Sequence, residues 1–409
     1  MNSSNVLSIK LKFLYIFVCA AIACFMPFLT FHFQQKGFSY TQIGIALAVY
    51  SIVGVIVQPI WGFITDKYLN KRISLIITML LSSLTIYIFI FAKGFYFILI
   101  SMILVLIFQS SVMPLSDAYT YEIIGQHKQI QYGKIRLMGS IGYGVTALCI
   151  GQAVKVIGIN SAFILFSIVM LLGAAMAFSI KFKGKNIQEK INASDIANLI
   201  KDKKLLIFYI MVIIVNISLG CNNTYITILI QKTGGDVSKL GLLWFVMAIS
   251  ETPILFFGNR LLKKFNDLNL FILAIIFFAL RYFLDSISPS YIFVIAVQIM
   301  HALTFPLFLL AALNYLNRKT NPKMKTTATT VYFASSGIGA FVGNIVGGML
   351  LEHITVFTLF KIISIFSVLC LALGVKLKKI NLFEDYTLMA NSKENNTSKL
   401  YDVKEAIIE

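Results

Sequence analysis

"KFKGKNIQEKINASDIANLIKDKK", residues 181–204, is the longest polar stretch inside a chain that otherwise avoids charge. Across all 409 residues the sequence is 58% hydrophobic and only 13% charged, with a mean hydropathy of +0.84. A soluble domain carries about a quarter charged residues. Six apolar runs precede the polar stretch, at 11–33, 41–65, 73–92, 95–121, 134–156 and 160–180. Six follow it, at 205–230, 240–262, 268–286, 290–316, 327–351 and 355–377. Each is long enough to cross ~30 Å of hydrocarbon as a helix. Lipid offers no partner for an unpaired backbone amide, so runs of this length fold as helices. The two-residue alternation of a membrane barrel is missing. The expected fold is an all-α membrane protein of twelve transmembrane helices in two pseudo-symmetric six-helix bundles. Residues 1–180 form the first bundle, 181–204 the linker, 205–377 the second bundle and 378–409 a tail.

A net charge of +18 raises nucleic-acid binding as a possibility, but the placement of the charge argues for membrane topology instead. With the N-terminus in the cytoplasm, 27 Lys and Arg residues fall on the cytoplasmic side and 5 outside. That asymmetry follows the positive-inside rule. It predicts a multi-pass protein of a bacterial plasma membrane, with both termini cytoplasmic. Five cysteines, all within apolar runs and without a C-x-x-C pair, read as small core residues. The first apolar run exceeds a signal-peptide core and is expected to stay as span 1.

The chain repeats itself across the polar stretch. At an offset of 197 residues Cys24 meets Cys221, Thr30 meets Thr227, Gln34 meets Gln231, Gly37 meets Gly234 and Gly44 meets Gly241. A parallel repeat of two six-helix halves is the mark of one large transporter architecture, with substrate bound between the halves near the midplane. Gly339, Gly343 and Gly347, spaced by four in span 11, are expected to pack helices rather than to cradle a cofactor, since no β-α-β unit surrounds them.

Charges within lipid are costly and point to function. Glu251, in "WFVMAISETPILFF", has no other ionisable residue between Lys239 and Arg260. A desolvated glutamate protonates near neutral pH and can carry a proton; a structural carboxylate held by a cation is the alternative. Arg281 and His301 lie 20 residues apart on spans 9 and 10. Arg281 supplies a fixed charge for Glu251. His301 serves the site or hydrogen-bonds structurally, and no second His or Cys stands at metal-ligand spacing. Asp117 on span 4 and Arg136 at the mouth of span 5 are placed to form a buried pair across a short hairpin. Arg136, Ser140 and Tyr143 share a helix face, either as a ligand surface or as an interfacial anchor with a core aromatic. Asn222, Asn223 and Thr224 make a polar patch in span 7, suited to hydrogen-bonding a substrate or to bridging helices.

"QPIWGFITDKYLNKR", residues 58–72, resembles the G-x-x-x-D-[RK]-x-x-[GN]-[RK]-[RK] motif of the major facilitator superfamily. The match covers Gly62, Asp66, Lys67, Asn70, Lys71 and Arg72. The resemblance implies a gating role for Gly62, Asp66, Lys67 and Arg72. Asn70 stands where glycine is usual and is expected to adopt the left-handed turn conformation. The segment "PLSDAYTYEIIGQHKQIQYGKIRLMGSIGYG" resembles spans 4–5 of the phenylpropionate and lactose permease groups, and "HALTFPLFLL" resembles both groups in span 10. These resemblances place Asp117, Arg136 and Tyr143 at the substrate, with His301 contacting substrate and Glu251, Arg281 and His301 coupling it to a proton. Thr304 stands where the lactose permease group has a second coupling carboxylate, and span 7 has amides where that group has acids. Glu251 is therefore expected to be the main proton carrier.

The expected protein is a secondary active transporter: a proton-coupled symporter importing a sugar, nucleoside or aromatic acid by alternating access. An exporter or exchanger on the same fold is the alternative. It is not expected to be an enzyme. No cofactor is expected beyond the coupling proton, and no G-x-x-x-x-G-K-[ST] loop for ATP is present. The expected partners are a small-molecule substrate and the lipid bilayer, not nucleic acid, and the expected state is a monomer.

Overall fold

The computed structural model describes residues 3–127, 129–180, 202–320 and 324–392. Nearly all of the interbundle linker expected at 181–204 lies outside the described residues, as does the tail beyond 392. Twelve helices among the described residues are long and apolar enough to cross a membrane. Spans 1–6 are Ser4–Gln35, Tyr40–Tyr68, Lys71–Phe91, Phe95–Gln126, Tyr132–Ile157 and Asn160–Ser179. Spans 7–12 are Lys203–Lys232, Val237–Gly258, Asp267–Ser286, Tyr291–Lys319, Thr327–Leu351 and Val356–Ile380. The last helix runs on to Ser392, past the tail boundary expected at 378. Large apolar side chains such as Leu84, Phe91, Ile100 and Leu369 are exposed on the outside of the protein, where lipid replaces water as their solvent.

The packing repeats as the sequence does. Span 1 packs on 5 and 6, span 3 on 4 and 6; correspondingly span 7 packs on 11 and 12, span 9 on 10 and 12. Two further contacts, span 2 with 11 and span 5 with 8, join the halves, and exchanging the halves (2 for 8, 11 for 5) turns each contact into the other. The matched residues sit on this symmetry. Gly37 and Gly234 both take positive φ, 77° and 89°. Each ends its span in the same way. The Gly37 N–H donates to Gln34 O and Phe38 N–H to Phe33 O; the Gly234 N–H donates to Gln231 O and Gly235 N–H to Ile230 O. This double closure needs a left-handed residue that glycine supplies without strain. Gln34 Nε2 donates to Gln231 Oε1 at 3.0 Å, so two residues 197 apart meet each other.

The halves are latched at the face opposite the termini. Besides the glutamine pair, Thr30 Oγ1 donates to Thr224 O (2.9 Å), Thr41 N–H to Glu352 (2.9 Å), and Lys155 pairs with Asp236 at 2.7 Å. The lysine and the Ser238 hydroxyl hold the Asp236 carboxyl down to about 2. A depressed carboxylate loses its pair only as pH falls through that value, so this tie persists at any physiological pH. At the terminal face the polar ties described stay within one half: Lys71 with Glu122 (3.5 Å), Arg318 with Asp267 (2.7 Å) and Lys10 with Ser179 O (2.8 Å). Glu122, near the end of span 4, is thus the partner of Lys71.

Small residues permit the latch. A Cβ on Gly151 would stand 2.9 Å from the Gly241 Cα and 2.9 Å from the Ser238 carbonyl, closer than packed atoms tolerate. Gly241 lies tighter still against the Ala147 carbonyl. Gly241→Val is therefore expected to prevent closure of this face. In a Gln34→Cys/Gln231→Cys background the two thiols should cross-link; adding Gly241→Val should abolish the cross-link, and an unchanged yield would contradict the packing argument. Gly339, Gly343 and Gly347 face Ile213, Ile217 and Tyr225 of span 7, so they pack helices, as the small-residue spacing predicts.

Candidate functional site

Three spans break where the halves meet. Span 1 is interrupted by a 3₁₀ turn over Met26–Phe28, with Pro27 inside it. Span 8 is two helices, Val237–Ser250 and Thr252–Lys264, joined at Glu251 and followed by Pro253. Span 10 runs as Tyr291–Val297, a 3₁₀ segment Gln298–Leu303, and then Phe305–Lys319 with Pro306 in its first turn. Proline lacks the donor that would continue each helix, and side chains at i and i+3 of a 3₁₀ segment eclipse. Gln298, His301 and Thr304, spaced by three, therefore line up on one side, facing span 9.

What they face is Arg281, which is wholly buried. Its Nη1 meets His301 Nδ1 at 2.9 Å and donates to Thr304 Oγ1 at 3.2 Å. Its Nη2 donates to Gln298 Oε1 at 2.5 Å. His301 Nε2 lies 3.0 Å from Glu251 Oε1. A guanidinium can only donate, so His301 Nδ1 accepts. The ring proton is then on Nε2 and is donated to the Glu251 carboxylate, and His301 is neutral. The sequence pairing of Glu251 with Arg281 is therefore indirect, with the imidazole between them. The Glu251 side chain keeps 29% of its exposure while His301 keeps 6%; the carboxylate is the end of the network that reaches the space between the halves.

The network extends further than the sequence indicated. Gln298 Nε2 donates to Asp285 Oδ1 (3.2 Å) and to Val294 O (2.9 Å). Asp285, which sequence position places at a span end, is completely buried. Its four-residue spacing from Arg281 was the available signal. Gln298 carried none, because a glutamine in an apolar run reads as a solitary polar residue.

In the first half, Asp117 does not close an ion pair with Arg136. Its Oδ1 accepts from Tyr15 (2.5 Å) and Tyr132 (2.8 Å). Two hydroxyls satisfy the carboxylate at lower desolvation cost than a second buried ion. Arg136 remains within electrostatic range of Asp117, Tyr132, Tyr15 and Cys19, and its Nη1 lies 3.4 Å from Met113 Sδ. The guanidinium fork thus keeps donors that no carboxylate occupies. Gly139 and Gly142 pack on Tyr15, Cys19 and Ile16 of span 1, which turns Arg136, Ser140 and Tyr143, all half-buried, along the adjoining stripe. Tyr143 reaches the other half: its ring meets Trp244 edge-on at 6.4 Å, and it is within electrostatic range of Glu251 and Tyr50. Trp244 is 6% exposed with its indole N–H unpartnered. A tryptophan in an apolar run reads as core, although this one opens the quoted Glu251 stretch.

Asn222 Nδ2 donates to Asn223 Oδ1 (3.1 Å), leaving Asn222 Oδ1 buried and unpartnered. Thr224 differs: it donates to Asn344 Oδ1 (2.8 Å), whose amide in turn donates to Leu47 O (2.9 Å) across the halves. Thr224 is therefore part of the latch. In the gating motif, Arg72 Nε donates to Ala177 O at 3.2 Å and Nη2 to Phe178 O, capping the last carbonyls of span 6, where cations are favoured. Lys67 lies over the Phe63 and Tyr68 rings at 5.2 and 5.0 Å. Gly62 has open space around it. Asn70 is not left-handed: at φ −129° and ψ 161° it caps span 3, its side chain accepting from Ile73 N–H. An extended cap with a side-chain acceptor is what the start of a helix requires, so asparagine replaces the usual glycine for its oxygen. Among the described residues no three His, Cys, Asp or Glu side chains gather as a metal site.

Comparison with known proteins adds to this geometry. The MFS_1 like family matches residues 8–362. The uncharacterized transporter YwbF of Bacillus subtilis (strain 168) is 27% identical over 376 residues, covering 90% of this chain and 93% of that protein. The maltose permease of Geobacillus stearothermophilus is 28% identical over 369 residues, covering 88% and 93%. Among solved structures, the nucleoside transporter NupG superposes with a TM-score of 0.81 at 16% identity, over 93% of this chain and 100% of that one.

Proposed function

We propose that this chain, which belongs to the MFS_1-like family of the major facilitator superfamily, is a proton-coupled symporter importing a small polar organic solute by alternating access. Family membership makes it a membrane transporter and not an enzyme. The coupling ion, the direction and the substrate are the proposal. The observation that carries it is the Glu251–His301–Arg281 chain, with its carboxylate at the open end beside Tyr143. Protonating Glu251 removes the acceptor charge that holds the His301 N–H. It also removes the counter-charge on the His301 side of Arg281, so the broken spans 8 and 10 gain freedom to move against the first half. Asp117, Arg136, Ser140 and Tyr143 from one half, and Asn222, Asn223 and His301 from the other, bind the solute. Trp244 adds an indole donor.

A sugar is the first substrate to test, because a maltose permease and a melibiose permease are among the relatives; a nucleoside and an aromatic acid follow, on the names of two others. The basic-residue asymmetry supports a multi-pass plasma-membrane protein with cytoplasmic termini; that it is monomeric in its bilayer is part of the proposal. On that orientation the latched face is outside and the described conformation opens inward. The test is a thermal-shift screen of disaccharides, nucleosides and arylpropionates on purified protein. It is followed by external pH recording as each hit enters proteoliposomes. Substrate-driven alkalinisation outside is expected; uptake without any pH change would overturn proton coupling. Once a ligand is known, Arg136→Lys should weaken its binding at least about tenfold, since a point charge replaces a planar fork. Unchanged affinity would make Arg136 an interfacial anchor.

A further inference from the structure

Arg281 stands between two carboxylates, each reached through one neutral residue. On one side His301 passes its hydrogen bond to Glu251. On the other, Gln298 Oε1 accepts from Arg281 while its Nε2 donates to Asp285, at 3.2 Å to Oδ1 and 3.5 Å to Oδ2. The orientation of that amide is fixed at both ends: Arg281 can only donate, so the amide oxygen must face it and the NH2 must face Asp285. Asp285 is thus addressed as an acceptor. Among the described residues its other surroundings offer no second cation. Arg281 is the charged group facing it from its own helix, with Tyr282 alongside, and span 10 contributes the neutral Gln298. Span 12, packed along the far side of span 9, sets Phe360 against Tyr282 and leaves Lys361 exposed. Around Glu251 stand His301 from span 10, Tyr143 from span 5 and Cys19 from span 1.

One guanidinium with two ionised carboxylates would leave this buried cluster with a net charge of −1. Charge imbalance in a low-dielectric interior is expensive, and two acids that share a counter-ion titrate as a pair. We propose that Asp285 is a second proton-binding carboxylate of the transport cycle, sharing Arg281 with Glu251, so that one proton is held by the pair at rest. Asp285 acts as a positioning residue: when ionised it supplies the counter-charge for Arg281 and lets Glu251 keep its proton; when neutral it leaves Arg281 to draw the charge onto Glu251. The second acid, absent at Thr304, is in this way restored from span 9, and Thr304 instead accepts from Arg281.

This inference rests on the proton-coupled reading of Glu251, and the experiment separates the two. Infrared difference spectra of purified protein in detergent, recorded from pH 5 to pH 9, follow the carboxyl band that Glu251→Gln removes. In Asp285→Asn the amide oxygen still accepts from Gln298, but no negative charge offsets Arg281. The midpoint of the Glu251 band should then fall by about one pH unit or more, and Asp285→Glu should restore it. The acid limb of substrate-driven uptake should move with it. An unchanged midpoint in well-folded Asp285→Asn overturns the proposal, and so does the absence of a second titrating carboxyl band that Asp285→Asn removes, because a permanently ionised, structural Asp285 has none. If no band is lost in Glu251→Gln and that variant still accumulates substrate, the proton-coupled reading itself fails.

Discussion

Proteoliposomes carrying Glu251→Gln will exchange substrate but not accumulate it. Glutamine keeps the length of the side chain and an oxygen that accepts the His301 Nε2–H, now 3.0 Å from Glu251 Oε1, so the site should hold its shape. What disappears is ionisation. With a permanently neutral residue at the open end of the network, the variant behaves as a carrier locked in its protonated form. Such a carrier can reorient with substrate bound in either direction but has no proton to release. Uphill uptake driven by an imposed pH gradient should fall to passive leak, while counterflow should stay within a few-fold of wild type. Accumulation at the wild-type level would remove Glu251 from the coupling machinery and leave it as a structural carboxylate.

The second large effect is expected for Arg281→Lys, which conserves charge but not geometry. Arg281 is wholly buried and serves three acceptors on one eclipsed row: His301 Nδ1, Thr304 Oγ1 and Gln298 Oε1. A planar guanidinium meets all three with two nitrogens; an ammonium on a shorter stem does not reach them together. Hydrogen bonds to charged groups are worth roughly 1.5–3 kcal/mol each, so losing even one should lower coupled uptake roughly 10- to 150-fold at similar expression. The loss should appear in counterflow as well as accumulation, because the His301 tautomer is no longer fixed and both carboxylates lose their common counter-ion. That separates this variant from Glu251→Gln. Near-normal coupled uptake would show that a point charge suffices and that the fork geometry is incidental.

The residues differ in how much their local sequence disclosed. Glu251 was legible because a lone acid in 20 residues of apolar sequence has few explanations. Gln34 and Gln231 were legible as a repeat, though not as a hydrogen-bonded pair on the symmetry axis. Asp117 and Arg136 were legible as site candidates but not as separate units: the two tyrosines that satisfy Asp117, Tyr15 and Tyr132, come from spans 1 and 5. Asn70 shows the converse, where a motif position suggested a turn and the start of span 3 used its oxygen as a cap.

The sequence by itself determined the solvent, the number of crossings, the twofold repeat and which charges had been placed in lipid at a cost. These follow from one-dimensional quantities: apolar run length, the side on which basic residues fall, and a fixed offset between matching residues. Only the tertiary structure decided which charge answers which. Arg281 meets His301, Thr304, Gln298 and, through the last, Asp285 because span 10 breaks into a 3₁₀ segment that aligns residues three apart, and because span 9 packs beside it. A hydrogen bond across 13 to 50 residues of chain depends on the rotation and depth of neighbouring helices, and no single helix encodes either.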